Sequence, residues 1–296
     1  MTEKNDGKAC AELIVSLIIV GTVGVLRRYI PLSSPALAFF RGAVGAASLL
    51  LFALLTGKLK GNRPPLKKLA LLLLNGAFLS FNWMLLFEAF NYTTIARATL
   101  CYYMAPTIVL LLSPVFFREK LTRRRLICAF IALCGMVLVS GVLGTGETGG
   151  DIKGVLYGLG AACFYSLVVI INKKLTGVEA YARTIIQLAA AAAVMLPYLA
   201  AKGGFGGVEF SFTLVLLLLV VGVIYTGLVY ALYFGSMSRL KAQTISALSY
   251  IDPVTAMIVS AVILKERLTF TGIAGAVLII GVALAGELWA GKAEKD

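Results

Sequence analysis

YYMAPTIVLLLSPVFFREKLT, residues 102–122, returns in altered form as SYIDPVTAMIVSAVILKERLT, residues 249–269. With one fixed shift between the two, Tyr103 falls on Tyr250, Pro106 on Pro253, Glu119 on Glu266, Leu121 on Leu268 and Thr122 on Thr269. Further upstream, Trp83 falls on Tyr230 at the same shift. The shift is about half the length of the 296-residue chain, so the chain reads as two copies of one unit, residues 1–146 and 147–296. In each stretch a proline interrupts an apolar run that then ends in charged residues.

The rest of the chain fits membrane-spanning copies. Of its residues 60% are hydrophobic and 14% charged, with a mean hydropathy of +0.94, whereas a soluble domain carries roughly a quarter charged residues. Apolar runs of about 17 to 25 residues recur from end to end, each long enough to cross a hydrocarbon core of ~30 Å as a helix. They do not alternate polar and apolar, which excludes a porin-like barrel. The runs predict an all-α membrane protein with ten transmembrane helices, at 11–26, 33–55, 68–90, 95–117, 123–143, 152–171, 181–201, 212–237, 244–264 and 270–288. A Gly-rich polar stretch, GTGETGGD at 144–151, separates the copies. Five helices per copy is an odd number, so the second copy enters the membrane upside down relative to the first. The short polar N-terminus and the lack of a small-residue cleavage site after the first run make that run a retained helix.

A net charge of +13 would point a soluble protein toward nucleic acid. Here 19 Lys and Arg fall in the loops on the side of the N-terminus and seven on the opposite side. That excess predicts a multi-pass protein of the cytoplasmic membrane with both termini inside, its large partner a lipid bilayer and not nucleic acid. The five cysteines, Cys10, Cys101, Cys128, Cys134 and Cys163, have no CxxC spacing and read as reduced, mostly buried thiols. Histidine is absent, which removes the commonest metal ligand and general base. There is no GxxxxGK[ST] loop for ATP, no metal-ligand spacing and no Ser/His/Asp set, so no cofactor is expected and any pumping must draw on a gradient.

Ionisable groups at membrane depth are costly and become functional candidates. Arg41 lies roughly 12 Å into the second helix, and Asp252 roughly 13 Å into the ninth, at 1.5 Å per residue. Asp252 suits a substrate amine or a proton, the candidate coupling ion, and Arg41 a substrate carboxylate held by two hydrogen bonds. The alternative is a structural ion pair between the copies, or a helix-break cap by Asp252. On the third helix Asn75, Asn82 and Trp83 share one broad face, and Tyr225 and Tyr230 lie on the eighth. Tyr102, Tyr103 and Tyr250 sit one turn before the two prolines. Such a set suits an amphipathic organic solute or cation, or else packs the bundle through interhelical hydrogen bonds. Pro106 and Pro253 each remove a backbone donor and are candidate hinges. In EKLT and ERLT, the Glu reads as an interfacial residue and the Thr as the cap of the following helix.

The two proline-bearing helices ending in REKLT and KERLT, together with LAFFRGAVGAASLL around Arg41, resemble the signature of the EamA family of the drug/metabolite transporter superfamily. The resemblance covers nearly the whole chain in two copies. It implies ten helices with both ends inside and a central cavity lined by the first four helices of each copy, the fifth and tenth standing behind. It also implies a secondary transporter of small organic solutes, monomeric or weakly dimeric, working by alternating access. Export of amino acids or related metabolites comes first, and import of a small nutrient or a cation such as a quaternary amine second. From another class, a non-transport membrane subunit or an intramembrane enzyme stays open. The copies differ where it matters: Gln187 stands roughly opposite Arg41, and Asp252 precedes Pro253 where the first copy has Ala105.

Overall fold

The computed structural model describes residues 3–59, 64–117, 123–140, 149–175, 177–201, 204–205, 208–237, 240, 245 and 248–293. Among these residues the chain is helical and has no strand. In a bilayer this is what the backbone demands, since each amide must be satisfied within its own segment. The first crossing is α1 (Glu3–Gly21) and α2 (Val23–Arg28), the second α3 (Ser34–Leu55) and the third α4 (Leu66–Tyr92). The fourth is α5 (Ile95–Tyr102) with α6 (Ala105–Phe117), and the fifth α7 (Arg123–Ser140). The second repeat follows with α8 (Gly149–Lys174), α9 (Ala180–Ala201), and α10 (Phe212–Leu219) running through a π-helical segment, Val220–Leu228, into α11 (Val229–Met237). The last two crossings are α12 (Ile251–Ile263) and α13 (Phe270–Ala293). Seven of these stretches are long and apolar enough to span a membrane, and three more are apolar but shorter. Ten crossings in two inverted repeats account for them.

The packing obeys the repeat. Exchanging the repeats turns the third crossing into the eighth and the sixth into the first. The broad contact of α4 with α8 accordingly has its image in that of α11 with α1. The contact of α4 with α9 has its image in that of the π segment with α3, and the contact of α5 and α6 with α8 in that of α12 with α1. The pairs α3 with α9 and α7 with α13 are their own images. Small residues set the approach: a methyl placed on Gly42 would come 3.0 Å from the Ala192 nitrogen, and one on Gly135 would come 2.9 Å from the Gly275 carbonyl oxygen. Without a hydrophobic drive between helices in lipid, such close backbone packing is what holds the bundle together.

Among the described residues four crossings are interrupted. The fourth and ninth break at matched places, Tyr103–Met104 and Ser249–Tyr250. Pro106 and Pro253 thus sit in the first turn of the segment after each break, where a missing N–H costs nothing. The first crossing is interrupted at Thr22 and the eighth carries the π segment. Nothing in the hydropathy pattern of either announces its irregularity. Several boundaries also move: the first crossing begins at Glu3 and not Ala11, and α8 begins at Gly149, inside the stretch expected to be linker. The end of the fifth helix, the start of the ninth and the Glu119 and Thr122 corner lie outside the described residues.

Candidate functional site

The breaks converge on one cavity of about 370 Å³ between the repeats, within the size range of small-molecule sites. Arg41, Trp83, Tyr102, Tyr103, Tyr225, Tyr230, Tyr250 and Asp252 all line it, with Pro106 at its edge. Pro253 is buried behind.

Asp252 enters from the first turn of α12. Its Oδ2 accepts a 2.6 Å hydrogen bond from the Tyr103 hydroxyl, which comes from the break in the other repeat. The Ser249 carbonyl lies 3.4 Å from the same hydroxyl, whose single proton goes to the nearer carboxylate. The Tyr103 and Tyr250 rings are 6.5 Å apart, so the two equivalent breaks face each other across the cavity. Tyr102 extends the wall to Tyr103 at 5.9 Å and to Tyr165 at 5.3 Å.

Arg41 enters from α3 and is 7% exposed. Its guanidinium carbon stands 4.4 Å from the centre of the Trp83 ring and 5.8 Å from that of Phe87, in reach of the ring faces. Tyr230, Tyr102 and Asp252 are its electrostatic neighbours. Arg41 and Asp252 are nevertheless not within salt-bridge distance of each other, and Arg41 Nε is buried without a hydrogen-bond partner. A structural ion pair between the repeats is therefore not what holds these residues. Trp83 and Tyr230, equivalent under the repeat, flank the same cation.

A third contact ties the unmatched irregularities together. The Thr22 hydroxyl donates to the Ile19 carbonyl at 2.7 Å, which leaves the Tyr225 hydroxyl to donate to Thr22 Oγ1 at 2.6 Å. Tyr225 sits in the π segment, and π turns recur at functional sites because they re-aim one side chain out of helical register.

Asn75 and Asn82 lie elsewhere. Asn82 Nδ2 donates to the Ala161 carbonyl at 2.8 Å, and Asn75 Nδ2 donates to Asn172 Oδ1 at 3.0 Å. Gln187 Nε2 donates to the same oxygen at 2.8 Å. Successive helical residues point about 100° apart, so Trp83 turns to the cavity while Asn82 turns to α8. Both amides serve interhelical packing, and Gln187 joins that node rather than standing in for a second Arg41. Sequence reasoning missed Tyr165 and Tyr233, which also line the cavity, and Thr22, which bonds the cavity residue Tyr225. Tyr233 carried a signal, one turn after Tyr230 on the same face; Tyr165 carried none, because its partner is set by tertiary packing. Among the described residues no three His, Cys, Asp or Glu side chains are grouped to hold a metal.

The pattern of the EamA-like transporter family matches residues 8–141 and again 152–285. The chain belongs to that family. This EamA-like protein is 29% identical over 295 residues to the uncharacterized transporter YxxF of Bacillus subtilis, covering 99% of this chain and 94% of that one. It is 28% identical to an uncharacterized transporter of Archaeoglobus fulgidus, over 93% and 95% of the two chains. It is 27% identical over 190 residues to the protein RarD of Salmonella typhi, 63% of this chain and 61% of that one. A crystal structure superposes with a TM-score of 0.67 at 20% identity, over 95% of this chain and 96% of that one, a likeness of fold alone. The EamA-like protein is a multi-pass membrane protein of a family that transports small solutes.

Proposed function

We propose that this EamA-like protein is a secondary transporter that exports amino acids or related metabolites across the cytoplasmic membrane by alternating access, its repeats meeting near residue 146 and both termini inside. The observation that carries the reading is two opposite charges, Arg41 and Asp252, lining one cavity without pairing to each other. Each then has a counter-charge to gain from a solute bearing both an ammonium and a carboxylate. Asp252 is also the group that would take a coupling proton. Pro106 and Pro253 lie where the crossings would bend. Matched breaks near the middle of inverted repeats are where carriers of this build bind their cargo.

A proteoliposome uptake assay tests it. Amino acids should be taken up in the parent protein, and Asp252→Asn should lose most of that flux. Normal flux in Asp252→Asn over a range of pH would rule out both the amine and the proton role. A second reading, import of a quaternary amine, draws on the tyrosine wall of Tyr102, Tyr103 and Tyr165 beside a carboxylate, since ring faces bind such cations. A thermal-shift series with amino acids and quaternary amines separates the two. A quaternary amine has no use for Arg41, so its stabilisation should survive Arg41→Gln.

A further inference from the structure

We infer that Glu266 is the gate residue at the end of the cavity opposite the N-terminus, a latch from the second repeat that docks on a helix N-terminus of the first. The inference rests on the alternating-access reading of the cavity.

The dock is built from four groups. Glu266 Oε2 accepts from the Ile95 backbone N–H at 2.9 Å, and Oε1 from the same N–H at 3.2 Å. Arg28 Nη2 donates to Glu266 Oε1 at 3.3 Å and to the Thr93 carbonyl at 3.2 Å. Ile95 is the first residue of α5, and its cap Thr94 already serves the Arg97 N–H at 3.2 Å. The local cap and the distant carboxylate thus divide the open donors of one helix start between them. The carboxylate also sits at the positive end of the helix dipole. The ends of the first and ninth crossings and the start of the fourth meet at this point. All three crossings line the cavity below.

The loop that presents Glu266 is shaped for the task. Lys265 takes φ 56°, the left-handed conformation that ends helices. The Glu266 N–H then turns back to the Ser260 carbonyl at 3.3 Å, which fixes where its side chain leaves the chain. Beneath the latch α2 lies directly on α5, where a methyl at Gly24 would come 2.5 Å from Ile95 Cγ2. One turn lower, Gly21 brings α1 against the Asp252 carbonyl and Thr255. The end is closed at three successive levels: the Glu266 latch and the Gly21 approach join the two repeats, and the Gly24–Ile95 contact between them packs α2 on α5 within the first.

What marks Glu266 as a gate and not a structural tie is that its parts have an alternative. The Arg28 side chain is 39% exposed, and a helix-start N–H at a membrane surface can take water instead. The dock can therefore open without stranding a buried polar group, unlike the Asn75–Asn172–Gln187 node. When the end opens, the second repeat withdraws its carboxylate and α5 keeps its Thr94 cap.

A cysteine at Val23, which lines the cavity just below the latch, reports closure. The reagent is a membrane-impermeant maleimide applied from the face that bears Arg28, with the parent lacking that cysteine as the control. Glu266→Ala should label about tenfold faster than the Val23→Cys protein alone, the population change expected for losing one charged hydrogen bond. Glu266→Gln keeps an acceptor for the Ile95 N–H and should fall between; it serves if the alanine variant folds poorly. The decisive variant is the exchange Arg28→Glu with Glu266→Arg. An ordinary ion pair would be restored and labelling would slow again. A dock on a helix start would not, because a guanidinium has no acceptor for the Ile95 N–H. Parental labelling in Glu266→Ala, or rescue by the exchange, overturns the inference. Labelling reads closure and not flux, so failure here is distinct from failure to carry amino acids.

Discussion

Replacing Arg41 by methionine is expected to make the protein melt higher while it transports less. Arg41 is almost fully buried and its Nε has no partner. Taking a cation out of water costs several kcal/mol after relaxation. The Trp83 face at 4.4 Å gives back about 2 kcal/mol in a desolvated setting. Asp252, beyond salt-bridge distance, gives back less. A residual burden of about 1–3 kcal/mol is left on the empty protein. Methionine keeps a long flexible side chain against Trp83 and Phe87 without the charge. At roughly 2–4 °C per kcal/mol for a chain of this order, the melting temperature should rise by about 2–12 °C. Uptake of a carboxylate-bearing solute should fall at least tenfold, since one charged hydrogen bond is worth about 1.5–3 kcal/mol. The measurements are a melt of the purified protein in detergent and initial rates in proteoliposomes, with Arg41→Lys as the comparison. If Arg41→Met melts several degrees lower, the guanidinium is a structural tie and its proposed role with the solute fails.

Asn172→Leu removes the acceptor shared by Asn75 and Gln187 and should cost about 1–3 kcal/mol for each stranded amide. The melt should show it, with part of the loss regained in Asn75→Leu, Asn172→Leu. Thr269→Ala deletes the hydroxyl that accepts from the Gly272 N–H at 3.1 Å. It should lower stability by about 1 kcal/mol, as helix caps do, with the KM of transport unchanged. Gly24→Ala forces a methyl against Ile95 and should penalise the closed end by about 1–3 kcal/mol. The Val23 cysteine should then label faster, in step with Glu266→Ala.

Ten crossings and their inverted pairing were legible because membrane span length and loop charge are one-dimensional signals. The Tyr–Pro match between the fourth and ninth helices located both breaks, because proline writes its constraint into its own position. Thr269 was legible for the same reason: the cap and the helix it serves are neighbours, and Thr269 does accept from Gly272. Glu266 was read as a bland interfacial residue because its partner, the Ile95 N–H, is 171 positions away and has no side-chain signature. Asn75 and Asn82 were grouped with Trp83 on a face too broad to separate the cavity from α8. The irregularities at Thr22 and in the π segment use ordinary residues in apolar runs, and only the Thr22–Tyr225 contact shows why they belong together.

The pairs α3 with α9 and α7 with α13 are their own images when the repeats are exchanged. If the repeats trade conformations during transport, a seam that maps onto itself looks the same before and after. These two seams are bearings, fixed while everything around them tilts. The other seams come in twos, and one of each two must loosen as its image tightens. The same division sorts substitutions. A bulky residue at Gly42 or Gly135 should weaken both end states alike and show in the melt. One at Gly21 lies on the seam of α1 with α12, which has its image in that of α5 and α6 with α8, so it should change which end of the cavity stands open.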